Sequence, residues 1–151
     1  MSEQRTDPEQ AYKVFMTVWM ALLVSQFLLA GVAFLARPEL LRFDLTQPLL
    51  GENAVVIGVL ALVSISVLAA SFVLRGNFTS QGIDQQKVEL VQTGLIVGCS
   101  LCEAVSLIGV FLAVAFTYQY FFLFSLLGIV GTVLHFPKRD DVHSATFRSL
   151  E

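Results

Sequence analysis

The sequence predicts an all-α integral membrane protein, a four-transmembrane-helix bundle with both termini in the cytoplasm. Three observations predict it. Four apolar runs fall at about residues 14–36, 54–74, 91–115 and 118–136, and a hydrocarbon core about 30 Å thick takes about 20 helical residues to span. Of the 151 residues, 56% are hydrophobic and only 14% charged, with a mean hydropathy of +0.75, against about 25% charged in soluble domains. Finally, seven of the nine basic residues lie in the N-terminal segment, the second connection and the tail (Arg5, Lys13, Arg75, Lys87, Lys138, Arg139, Arg148), leaving Arg37 and Arg42 in the first connection. The positive-inside rule then keeps both ends inside.

The segment 1–13 is too acidic, with Glu3, Asp7 and Glu9, to preface a cleaved signal, so it is expected to be a cytoplasmic N-terminal segment before a retained first helix. That helix stops at Arg37-Pro38, because proline disfavours the helical region in the residue before it. The connection after it is expected to hold a loop or a short amphipathic piece with Leu40, Leu41, Phe43 and Leu45 as apolar anchors. Asn53 suits the N-cap of the second helix, whose Gly58, Ala61, Ser64, Ser66, Ala69, Ala70 and Ser71 allow close approach of a neighbour. Residues 75–89, with Gly76 and Gly82 as breakers, predict a polar hairpin loop. On this topology the Asn77-Phe78-Thr79 acceptor sequence is cytoplasmic and unmodified. The uncharged FTYQYFF stretch predicts an interfacial turn, and residues 137–151 a cytoplasmic C-terminal tail. The domain assignment is therefore 1–13, a transmembrane domain 14–136, and 137–151. The expected location is a plasma membrane of the bacterial inner-membrane kind.

Glu103 stands near the middle of the third run. A carboxylate at the bilayer centre costs at least about 2.5 kcal/mol unless partnered or neutral. At 3.6 residues per turn, Cys99, Ser100, Ser106 and Leu107 share its face, with Gln92 about three turns away. Three roles are open to it. It is a structural acid hydrogen-bonded to a neighbour such as Gln26, Ser64 or Ser66, or a carrier of a proton or sodium ion, or a substrate counter-ion.

Gly94 and Gly98 make a GxxxG pattern, a close-packing face either within the monomer or between copies. Gly109, Gly128 and Gly131 are further candidates for helix packing. Cys99 and Cys102 form a CxxC inside a membrane helix. Without a second cysteine pair to exchange with, they are expected to be buried packing thiols rather than a redox centre. His135 and His143 lack the clustered spacing of a metal site and are expected at the interface and in the tail. No phosphate-binding loop, nucleophile motif or zinc-protease motif occurs, so no enzyme activity and no cofactor are expected, apart from a proton or sodium ion at Glu103. The scattered basic residues argue against nucleic acid. The expected partners are the lipid bilayer and other membrane subunits or further copies of the chain.

From Glu103 the sequence runs EAVSLIGVFLAVAF (residues 103–116). This resembles the carboxyl-bearing outer helix of the rotary ATP synthase c subunit, the proteolipid family. There the ion-binding glutamate is typically followed by alanine, then by glycine six residues on, then by small residues. The matching positions here are Glu103, Ala104, Gly109, Ala113 and Ala115. The resemblance implies that Glu103 takes up and releases a proton or sodium ion, and that the second helix feeds a cytoplasmic hairpin into the third. The family's inner helix carries a run of alternating glycines, where the second helix here offers only Gly58. Two functions of different classes are thus expected: a structural or accessory protein that oligomerises or joins a larger membrane complex, or a proteolipid-like ion carrier.

Overall fold

The computed structural model describes residues 7–41, 46, 48–51 and 53–146. Among them lie five α-helices, which we number α1 (Pro8–Ala36), α2 (Ala54–Asp84), α3 (Val88–Phe116), α4 (Phe121–Leu134) and α5 (Arg139–Thr146), and one 3-10 turn, Pro38–Leu41. No described residue is in a strand. Three helices are long and apolar enough to cross a membrane, or four when α4 and α5, bent by 47° at their junction, count as one span.

α1 begins six residues before its apolar run. Asp7 caps it by accepting the Glu9 N–H at 3.1 Å, and Pro8 occupies the first turn, where a missing N–H costs nothing. The 3-10 turn that follows α1 buries Leu40; the expected anchors Phe43 and Leu45, and the side chain of Leu41, lie outside the described residues. Asn53 does precede α2, but its side chain makes no capping bond.

The predicted hairpin loop at 75–89 is not a loop. α2 continues ten residues past Leu74 to Asp84, since a polar sequence can keep its helical backbone bonds once the chain has left hydrocarbon. Gly82 is a contact point instead of a breaker. A Cβ there would fall 2.6 Å from Val91 Cγ2 and 3.1 Å from the Lys87 carbonyl. The turn shrinks to Gln85, Gln86 and Lys87, with Gln86 in the left-handed region at φ 53°. Lys87 N–H donates to the Gly82 carbonyl at 2.8 Å and Gln86 N–H to that of Ile83 at 3.2 Å. This is a Schellman pattern with glutamine where glycine is usual. The Gln86 side chain holds it closed, donating toward the Ile83 and Ser144 carbonyls at 2.7 and 3.0 Å.

The tail is corrected as well. Residues 139–146 form a helix that buries Val142 and Ala145 against Phe15, Trp19, Val91, Leu95 and Cys99. Arg139 lies 3.6 Å from Glu9 and stacks over Tyr12 at 4.8 Å. The start of α1, the α2–α3 turn and α5 therefore share one end of the bundle. At the other end Thr117, at φ 50°, terminates α3, and the Tyr118 hydroxyl donates to the Leu49 carbonyl at 2.8 Å.

α3 is the central helix, with eleven buried residues against five in α1 and four in α2. α2 rests on the bundle along a narrow seam of Ile57, Ser64 and Ser71, spaced by seven residues as in a left-handed helix crossing. Two apolar clusters fill the interior. One, at the α5 end, centres on Phe15, Trp19 and Leu95. The other centres on Leu112, Phe121 and Phe124.

Candidate functional site

Between the two apolar clusters lies a layer of polar side chains built by α1, α3 and α4. Gln26 is wholly buried. Its amide nitrogen donates to the Thr132 hydroxyl, and its amide oxygen accepts from Ser106 Oγ at 2.9 Å. The Trp19 indole N–H donates to the Thr132 carbonyl at 2.8 Å. Polar groups buried in so apolar a bundle carry a desolvation cost unless hydrogen-bonded, and these satisfy one another across three helices. Gly128 makes the layer possible. A Cβ there would lie 2.6 Å from the Cys102 carbonyl and 3.0 Å from Gln26 Oε1.

Glu103 sits at the margin of this layer, sixteenth of the 29 residues of α3 and half-buried. Its partner is Ser25 of α1, whose Oγ is 2.7 Å from Glu103 Oε1. The same hydroxyl lies 2.8 Å from the Leu22 carbonyl. With one proton and two acceptors in reach, two arrangements satisfy the geometry. Either Ser25 donates to a carboxylate, or Ser25 donates to Leu22 while a carboxylic acid at Glu103 donates to Ser25.

The other candidates separate. Gln26 and Ser106 meet each other but not Glu103. Ser64 is buried and Ser66 exposed, and both donate back to their own helix, at the Leu60 and Leu62 carbonyls. Neither is Glu103's partner. Ser100 is exposed and Gln92 half-buried. Of the glycines, Gly94 faces α2, where a Cβ would meet Phe78 Cβ at 2.7 Å, and Gly98 faces His135 at 2.8 Å from Nε2. That GxxxG pair is used inside the chain. Gly109 lies 2.8 Å, on the same measure, from the Phe121 carbonyl, and Gly131 2.7 Å from Cys102 Sγ.

A second polar cluster lies nearer the α5 end. His135, expected at the interface, is wholly buried. Ser71 Oγ donates to the Leu68 carbonyl at 2.6 Å, so the imidazole Nε2 at 3.1 Å is left as the donor to Ser71. His135 Nδ1 has no partner among the described residues. Cys102 Sγ lies 3.7 Å from Ser71 Oγ, and both cysteines are free and buried. No group of three or more His, Cys, Asp or Glu among the described residues is placed to hold a metal ion.

Sequence reasoning did not single out Ser25, Thr132 or Trp19. Signals existed. Thr132 is a polar residue one turn from Gly128 in a helix whose only other polar side chain is Ser125, and a buried indole N–H calls for an acceptor. Comparison of the chain with protein families, with characterised proteins and with solved structures finds no match.

Proposed function

We propose that this chain is a small structural or accessory membrane protein that acts by association, with further copies of itself or with a larger membrane complex. The observation that carries this reading is how the mid-depth polar groups are used. Gln26, Ser106 and Thr132 fasten α1, α3 and α4, and Glu103 fastens α1 to α3 through Ser25. Interhelical hydrogen bonds of this kind serve as glue in membrane bundles. The long helices leave many large apolar side chains exposed, Leu28, Leu35, Val55 and Leu62 among them, so the working surfaces are the lipid-facing helices. The proposed topology keeps both termini in the cytoplasm of a bacterial-type plasma membrane. It agrees with the shared end of α1, the α2–α3 turn and α5, which among the described residues carries Lys13, Lys87, Lys138 and Arg139.

A second reading, a proteolipid-like proton or sodium carrier, is favoured by one observation. Glu103 is only half-buried and has two hydrogen-bonding arrangements with Ser25, so a proton could be exchanged there without breaking the bundle. Glu103→Gln separates the two. If the variant assembles and retains its cellular role, ionisation of Glu103 is irrelevant and the accessory reading stands. Loss of that role with assembly intact, together with carbodiimide modification of Glu103 that sodium suppresses, would replace it with the carrier.

A further inference from the structure

We infer that α3 carries a self-complementary docking stripe for a second copy of this chain, paired in parallel through Ser100 and Glu103. The inference rests on the association reading and specifies its surface and its partner. Ile96, Ser100, Glu103, Leu107, Val110 and Val114 follow one another at alternating spacings of four and three residues, the seam of a parallel helix pair. All six are exposed or half-buried, although α3 is otherwise the most buried long helix; Leu107 keeps 47% of its surface and Ile96 38%.

α1 flanks one side of the stripe, where Glu103 meets Ser25, Arg37 donates to the Val114 carbonyl at 2.8 Å and Val110 packs partly against the Leu112 cluster. At roughly 100° of rotation per residue, Cys99, toward α1, and Gly94, toward α2, both point at least a quarter turn away from Ser100. The outer edge formed by Ile96, Ser100 and Leu107, all exposed, is therefore open to a second helix.

Lipid is a poor cover for this face. The Ser100 hydroxyl has no hydrogen-bond partner among the described residues, and Glu103 Oε2 has none either, the Ser25 contact being made to Oε1. Polar groups facing hydrocarbon at mid-helix are costly. A second copy supplies what is missing. Two copies inserted with the same topology are related by an axis along the membrane normal, so their α3 helices run parallel and equal positions meet at equal depth. In such a pair, the side chain at one seam position packs among both seam positions of the facing helix. Ser100 of each copy therefore meets Glu103 of the other, a hydroxyl against a carboxyl, twice over. The contact is isologous and closes as a dimer.

The test uses the full-length protein in lipid bilayers, with wild-type mass measured by native mass spectrometry. Ser100→Cys is compared under mild oxidation with Ser66→Cys, an exposed position on α2, and with wild type, whose cysteines are buried. The expected result is a dimeric mass for the wild type and a disulfide-linked dimer for Ser100→Cys, with none for the other two. Glu103→Gln should stay dimeric and Ser100→Leu/Glu103→Leu should become monomeric while thermal unfolding shows both folded. A wild-type oligomer or complex whose Ser100→Cys variant does not cross-link, or cross-links no more than Ser66→Cys, overturns the stripe and leaves association standing through another surface. A wild type that is monomeric and partnerless overturns both.

Discussion

The Ser25 hydroxyl lies 2.7 Å from Glu103 Oε1 and 2.8 Å from the Leu22 carbonyl, so one side chain on α1 joins the central carboxyl of α3 to the backbone of its own helix. Interhelical hydrogen bonds in membranes are worth about 0.6 kcal/mol on average and up to about 1.7. Ser25→Ala is expected to lower stability within that range, read from the detergent fraction that unfolds the protein in mixed micelles. Stability unchanged by the substitution would mean that Glu103 is held by something else.

Gln26 has more at stake. Gln26→Leu keeps the volume but strands the Thr132 and Ser106 hydroxyls, and an unsatisfied buried group costs about 1 to 3 kcal/mol. The loss should exceed that of Ser25→Ala. Adding Thr132→Val to Gln26→Leu should cost less than Thr132→Val does alone, because the two residues share a hydrogen bond and their effects are coupled. Additive losses would argue against the bond.

The glycines divide into two groups by what surrounds them. Gly128→Ala pushes a methyl against the Cys102 carbonyl and Gln26, and overpacking of this kind costs about 1 to 3 kcal/mol. Gly58 has nothing within 4 Å of the same position. Gly58→Ala is therefore expected to be neutral or to stabilise by up to about 1 kcal/mol through helix propensity. Parallel unfolding curves of the two variants check both signs.

Cys99 and Cys102 are both 0% exposed, on the face of α3 enclosed by α1, α2, α4 and α5. A maleimide should leave the folded protein unmodified and label two thiols per chain once it is unfolded in detergent. Rapid labelling of the native protein would contradict the packing of α3.

Val142 of α5 is wholly buried against α1 and α3. Val142→Asp places a charge in that contact, and the resulting cost should undock α5 before it unfolds the long helices. Faster proteolysis confined to the C-terminal end, with the spanning helices intact, is the expected outcome. Cleavage unchanged from wild type would show that α5 is not held by this contact.

Spanning helices were legible because their signal is a sum: about twenty consecutive apolar residues outweigh any local ambiguity. Helix ends were legible where proline restricts the backbone beside it, as at Arg37-Pro38. They were misread where the constraint comes from another helix. Gly82 looks like a breaker in sequence, yet it lies under Val91, and α2 runs through it. Arg139 to Thr146 look like a solvated tail, yet two of them, Val142 and Ala145, meet the α1 and α3 surface and make the segment helical.

The same division holds for the candidate site. By itself the sequence determined that the chain is helical and membrane-spanning in character, and that a carboxyl stands at the middle of its third long helix, since composition and position along a helix are properties of the chain alone. Only the tertiary structure decided that Glu103 meets Ser25 instead of Gln26, Ser64 or Ser66, that Gln26 turns to Thr132 and Ser106, and that His135 is buried beside Ser71. The physical reason is that hydrogen-bond partners on different helices are chosen by the rotation and depth of each helix against its neighbour. Those are set by the shapes of whole faces, here by glycines such as Gly128 and Gly94 that let particular backbones approach.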